Sequence, residues 1–154
     1  AANDTDLIGD RGDYRATIDA DDSYEIAVTD PRRGTDRTTI DEPGAFVISA
    51  PSANGNASLS GFTVTWTNPD ANLEVEVRVT QRLFGEDLSL TLDRAPDTGS
   101  ATISSRKIAD AGFGQGRKMT ITVTKIRTNT NLRGFRDGVL SCRLSNSVEV
   151  NPAP

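Results

Sequence analysis

Residues 61–81 read GFTVTWTNPDANLEVEVRVTQ, and this stretch decides the fold of the chain. Its first part places the single tryptophan, Trp66, among threonines and valines. After the Asn-Pro-Asp turn at 68–70, apolar residues alternate strictly with charged or polar ones. Alternation with a period of two residues is typical of a strand that has one buried and one solvent-exposed face. The stretch therefore predicts two strands joined by a turn, with Trp66 on the first strand.

The chain from Gly44 onward repeats this pattern of short strands separated by turn residues. The predicted strands lie at 44–50, 57–67, 73–80, 88–92, 98–104, 118–127 and 138–150. No segment shows the i, i+3, i+4, i+7 spacing of an amphipathic helix, and 106–111 suits one helical turn at most. Seven short strands in about 110 residues predict an all-β protein built as a two-sheet sandwich.

The order of motifs along this region resembles that of one known family of sandwich domains. In chain order these motifs are Pro51, Leu59, Thr63–Thr67 with Asn-Pro after it, the alternating strand, Met119–Val123, and Ser145–Val150 with a proline-rich exit. Over residues 44–154 the pattern resembles a fibronectin type III domain, or more broadly an immunoglobulin-like domain. The resemblance implies that Trp66 packs between the two sheets as the core anchor. The alternative is an exposed tryptophan that stacks on a sugar. Such domains bring no catalytic residues, since they mostly bind, space or assemble.

The first 43 residues form a separate unit in this interpretation, an acidic N-terminal strand arm with a linker that precedes the sandwich of residues 44–154. Residues 14–18 (YRATI) and 24–28 (YEIAV) flank a DADDS turn and predict a hairpin, followed by a polar PRRGTDR linker. An isolated hairpin is at best marginally stable in water, so it must pair with its own sandwich or with a neighbouring molecule. In the second case, the side chains expected to fill the neighbour's groove are Tyr14, Ala16, Ile18, Tyr24, Ile26 and Val28.

The charge distribution bears on that choice. Residues 1–43 carry 12 acidic and 5 basic side chains, a net charge of −7, whereas 106–143 carry 9 basic and 2 acidic side chains, a net charge of +7. Complementary ends favour contact within a molecule or head to tail between molecules, and a head-to-tail contact that does not close generates a filament. The alternative is that both sets of charges are simply solvated. The overall net charge of −5 argues against nucleic acid as a partner.

The residue inventory removes most catalytic and metal chemistry. Histidine is absent, which excludes serine or cysteine triads that need an imidazole and most zinc or copper sites. The lone Cys142 excludes an internal disulfide and is expected to be a buried, unreactive thiol. No cofactor is expected. A weak calcium site stays open at three clustered carboxylates, Asp19, Asp21 and Asp22, although their spacing fails the EF-hand order.

The sequence predicts an exported, non-catalytic protein. The opening residues AAND are what a signal peptidase leaves after cleavage, unless the sequence is a trimmed piece. The longest apolar run, 45–50, is strand-sized, so no membrane span is expected. We expect an extracellular or cell-surface structural or adhesive component that associates with itself or with other surface proteins. Filament assembly would occur by strand exchange of the arm.

One alternative function is a carbohydrate-binding accessory module of a secreted enzyme, with polysaccharide as the partner. Its aromatic platforms would be Tyr14, Tyr24, Phe113 or Phe135. Aromatic residues make up 5% of the chain, which argues against this alternative because sugar platforms are built from flat aromatic faces. A protease or a glycosidase is a third option, but no carboxylate pair stands out among the 22 acidic residues.

Overall fold

The computed structural model describes residues 8–10, 13–15, 23–30, 34–130 and 139–154. Strands dominate these residues. In chain order the elements are β1 (Ile8–Asp10), β2 (Asp13–Arg15), β3 (Ser23–Asp30), β4 (Gly34–Asp41), β5 (Ile48–Ala50), β6 (Asn56–Ser58), β7 (Gly61–Trp66), β8 (Glu74–Leu83), β9 (Glu86–Thr91), β10 (Ala95–Pro96), β11 (Ser100–Ser104), α1 (Ser105–Asp110), β12 (Met119–Asn129) and β13 (Leu140–Ala153).

Two sheets form the body of the protein. One has the order β10-β8-β12-β13-β6, with β9 also paired to β8, and the other has the order β11-β7-β5. All of these pairings are antiparallel except that between β13 and β6, which is parallel. The predicted all-β, two-sheet sandwich is confirmed, and the arrangement is compatible with an immunoglobulin-like fold.

The core lies between the sheets and follows the alternation in the sequence. On β8 and β12, Val77 lies opposite Val123 and Val79 lies opposite Ile121. All four side chains are buried, because residues directly opposite each other in a sheet share a face. Each buried aliphatic side chain contributes about 1.5–3 kcal/mol relative to an exposed one.

The predicted helical turn near 106–111 is present as α1, which is six residues long. Ser104 begins it as the N-cap, with its hydroxyl accepting a hydrogen bond from the Lys107 backbone N–H at 3.4 Å. Within the described ranges, no helix is both long and apolar enough to cross a membrane.

The pairing of the N-terminal strands differs from the prediction. Tyr24 in β3 lies opposite Ile40 in β4, and these two eight-residue strands form a ribbon; Tyr14 in β2 lies opposite Gly9 in β1. The predicted hairpin between 14–18 and 24–28 is therefore wrong over the described residues. The second half of the predicted linker is strand.

The segments that do pair are neighbours in sequence, and this proximity accounts for the difference. Three residues, 31–33, separate β3 from β4, a separation usual for hairpin loops. Thr35, Thr38 and Thr39 are β-branched and favour strand, yet β4 has one aliphatic residue, so no apolar alternation marked it.

The ribbon formed by β3 and β4 contacts the sandwich where β4 ends. Ile40 is 5% exposed, and the β4 strand contacts β12 and β13. The Asn129 side-chain amide donates a hydrogen bond to the backbone carbonyl of Thr39 at 3.4 Å. The ribbon is thus held at the end of the sandwich where β12 ends.

Candidate functional site

The ribbon has two chemically different faces. The register places Ile26 opposite Thr38 and Tyr24 opposite Ile40, so these four residues share one face. Tyr24 and Ile26 are half-buried there. The other face is polar and exposed, and Glu25 forms an ion pair with Arg37 on it. The ribbon is therefore amphipathic.

The six residues predicted to contact a neighbour are distributed between two strands and one undescribed segment. Tyr14 is in β2, and Val28 in β3 lies opposite Asp36. The Tyr24 hydroxyl donates a hydrogen bond to Glu42 Oε2 at 3.5 Å. Ala16 and Ile18 lie outside the described residues. The structure thus places Tyr24 and Ile26 on one face of the ribbon.

A groove of about 930 Å³ lies at the opposite end of the sandwich, beside the turn between β8 and β9. The residues that line it include Arg82, Phe84, Gln115, Gly116, Arg117 and Lys118. Phe84 is 96% exposed. Sequence reasoning missed this site, although a Phe-Gly pair between two alternating runs marks the turn and its exposed tip.

One wall of the groove is fixed by a buried glutamine. The Gln81 amide donates to the backbone carbonyls of Gly114 at 2.6 Å and Arg117 at 2.8 Å, and its oxygen accepts from the Gly114 backbone N–H at 2.9 Å. The Gln81 side chain is 3% exposed. Its three hydrogen bonds, two donated and one accepted, hold the 114–117 loop against β8. The groove is therefore preformed.

Trp66 belongs to the core between the sheets and is 4% exposed. Its indole Nε1–H donates a hydrogen bond to Asp97 Oδ1 at 2.7 Å. A buried tryptophan needs such a partner for its N–H. The same carboxylate accepts from the backbone N–H groups of Gly99 at 3.1 Å and Asp70 at 3.1 Å.

Asp97 also forms a fully buried ion pair. Lys125 Nζ lies 3.0 Å from Asp97 Oδ2, and the two side chains are 1% and 0% exposed. The ammonium donates to the Asn68 carbonyl and lies 4.9 Å from the centre of the Phe46 ring. Lys125 could have been found in the sequence, because it continues the inward-facing series Met119, Ile121, Val123 on β12.

The Asp97 network makes the carboxylate a stronger acid than usual. Burial raises the pKa of Asp97, but the hydrogen bonds from Trp66, Lys125 and the Asp70 and Gly99 backbone amides together hold this pKa below its ordinary value. The ionised form is thus favoured in the folded protein. The network joins the tryptophan on β7, the lysine on β12 and the 97–99 segment into one buried cluster.

We expect this carboxylate to make stability depend on acid pH. A lowered folded-state pKa contributes stability that is fully present above the unfolded pKa of about 3.9 and is lost as pH falls through the folded pKa. In urea unfolding measured from pH 6 to pH 2, the free energy of unfolding should decline less steeply with falling pH for Asp97→Asn than for the wild type. Asp93→Asn, at an exposed carboxylate, is the control. Equal slopes for the wild type and Asp97→Asn would contradict the assignment.

No group of three or more metal-binding side chains occurs within the described ranges. The weak calcium candidates Asp19, Asp21 and Asp22 lie outside those ranges. Cys142 is half-buried, and burial, reinforced by the Glu42 carboxylate, raises the pKa of its thiol. Such a thiol is a poor nucleophile at neutral pH.

Phe113 and Phe135 are two of the aromatic residues proposed as sugar platforms. Phe113 is 8% exposed and packs in the core, so its prediction as a platform is wrong. It follows α1, where its backbone N–H donates to the Ile108 carbonyl at 3.3 Å and the chain turns inward. Phe135 lies outside the described residues.

The described residues form a β-sandwich compatible with an immunoglobulin-like fold, with an amphipathic ribbon at one end and a groove beside the exposed Phe84 at the other. No protein-family model matches the chain, and a search of curated proteins returned no match either.

Proposed function

We propose that this protein is a non-catalytic structural or adhesive subunit of an extracellular or cell-surface assembly, which self-associates through its N-terminal ribbon. The observation that supports this proposal is the ribbon itself. Two eight-residue strands pair with each other and, within the described residues, with no third strand. A two-stranded ribbon is marginally stable alone and presents unpaired backbone groups along its edges.

The ribbon has the chemistry of a strand donor. Tyr24 and Ile26 project from one face at a two-residue spacing, which is how an added strand places alternate side chains in a neighbour's groove. The backbone edge supplies affinity through hydrogen bonds, and the side chains supply specificity. A subunit that both donates a strand and accepts one builds a filament if the contact does not close.

A fibronectin type III-like sandwich is the specific fold proposed for this subunit. In an immunoglobulin constant domain four strands form one sheet and three the other. Here β9 follows β8 in the chain and pairs with it in the larger sheet. The second sheet therefore has three strands, β5, β7 and β11. β6 pairs in parallel with β13 and covers the edge of β13 that faces away from β12.

Substitutions on the two faces of the ribbon test the proposal. Ile26→Lys puts a charge on the apolar face of the ribbon. The dissociation constant for self-association should rise at least about tenfold, because the ammonium would be desolvated in the contact. Ala27→Lys, on the exposed face, is the matched control and should change it little. Sedimentation velocity over a range of protein concentrations measures both.

Removal of residues 1–38 provides the second arm of this test. The deletion retains Ile40, the buried residue at the sandwich end of β4, and should yield a soluble, folded monomer. Association that persists unchanged in this variant would overturn the proposed function. A wild-type protein that stays monomeric at all concentrations would do the same.

A further inference from the structure

The residue at the tip of the β8–β9 turn is unusual for its backbone conformation. Phe84 and Gly85 form the two-residue connection, with φ of +52° and +88°. Two positive φ values define the turn type that favours asparagine, aspartate or glycine at its first position, and a phenylalanine there is strained. At 96% exposure its ring contributes nothing to the core. The ring is therefore available for a contact outside the molecule.

The groove beside this ring is lined by cations. Arg82, Arg117 and Lys118 line it, and no carboxylate does. Arg82 and Lys118 form exposed pairs with Asp87 at 3.8 Å and Glu149 at 3.3 Å, which exchange easily for other partners. Arg117 is exposed and forms no ion pair among the described residues. The site therefore combines an aromatic ring with an available positive charge.

The ribbon of the same molecule is held far from this groove. Met119, at the start of β12, lies opposite Gln81 beside the groove, whereas Asn129, at its end, contacts Thr39 in the ribbon. The eleven residues of β12 span about 36 Å at about 3.3 Å per residue. The ribbon strands, eight residues each, span about 26 Å. The ribbon is thus too short to reach the groove from its attachment at the opposite end.

We propose that this groove is the acceptor for the acidic N-terminal ribbon of a second copy of the chain. This inference rests on the proposed function and names the surface that the ribbon contacts. Charge complementarity supports it: the ribbon strands carry Glu25, Asp30, Asp36 and Asp41 against the single cation Arg37, and residues 1–43 have a net charge of −7. Tyr24 and Ile26 would pack on Phe84, while a ribbon carboxylate pairs with Arg117.

The geometry has a consequence for assembly. Donor and acceptor lie at opposite ends of the long axis of β12, so each copy presents a free ribbon and a free groove after one contact forms. Such a heterologous contact repeats in one direction and gives an open, polar filament unless the rotation between copies closes a ring.

Two full-length variants test the acceptor. Phe84→Asn removes the ring and installs a residue that suits the positive φ, so the turn stays intact and any loss reflects the missing contact. The dissociation constant for self-association should rise at least about tenfold, as for an aromatic anchor. Arg117→Glu should raise it by about threefold to tenfold, and added salt should reduce this difference. Val47→Thr, at an exposed apolar residue outside the groove, is the control and should behave like the wild type.

The outcomes of sedimentation velocity separate the two proposals. Weakened association of Phe84→Asn and Arg117→Glu, with Val47→Thr unchanged, supports the groove as acceptor. If both groove variants associate as the wild type does while Ile26→Lys does not, the ribbon acts on another surface; this inference is then overturned and the proposed function stands. A wild type that is monomeric throughout overturns both.

Discussion

Asp97→Asn should lower the free energy of unfolding by about 3–5 kcal/mol, the largest effect we expect from removing a single charge. The substitution leaves the Lys125 ammonium buried with the Asn68 carbonyl and the Phe46 ring as its remaining partners. A buried charge without its counter-charge loses its hydration and recovers little in return. Urea denaturation at neutral pH measures the change. The dependence of the unfolding free energy on urea concentration should be compared between variants to check that it is the same.

The partner substitution should be milder, and this asymmetry is the sharper part of the prediction. In Lys125→Met the Asp97 carboxylate keeps three N–H donors, from Trp66, Gly99 and Asp70. We therefore expect Lys125→Met to destabilise less than Asp97→Asn. The double variant should be more stable than Asp97→Asn alone, since it removes the stranded ammonium. Additive effects in this cycle would show that the two groups do not interact.

Trp66→Ala should also destabilise by about 3–5 kcal/mol, for a different reason. Truncation of a fully packed aromatic side chain leaves a cavity between the sheets that the surrounding strands fill only in part. It also removes the indole donor from Asp97 Oδ1. Thermal and urea unfolding of the variant would record the loss.

Trp66→Phe separates the two contributions. Phenylalanine retains most of the apolar volume but has no N–H, so the loss should fall to about 1–3 kcal/mol, the range for a hydrogen bond to a charged group and the volume change together. Stability of Trp66→Phe as low as that of Trp66→Ala would mean that the hydrogen bond to Asp97, and not packing, accounts for the role of Trp66.

Strand positions in the sandwich could be predicted because each strand carries its own signal. The alternation after Leu73 predicted β8, and the structure buries Val75, Val77 and Val79 as that pattern requires. A two-residue period depends on neighbouring residues alone, so it can be read without knowing which strands pair. The Asn-Pro turn and the run of residues around Met119 are local in the same sense.

Strand partners in the N-terminal region are a different matter. The sequence predicted that 24–28 pairs with 14–18. In the structure 24–28 pairs with β4, whose threonines give no apolar alternation. Which of two neighbouring segments pairs with a strand depends on the energies of both alternatives. A single run of residues does not contain that comparison.

The two ends of the sandwich show the same division between local and long-range information. Residue types alone predicted the all-β class, the absence of imidazole chemistry and the opposed charges of residues 1–43 and 106–143, because these properties depend on composition and short-range order. The buried Asp97–Lys125 pair joins residues 28 positions apart, and the groove joins the β8–β9 turn to the 115–118 loop. Contacts between segments so distant in sequence exist only after the sheets pack, so tertiary structure alone decided which charge is buried and which aromatic ring is exposed.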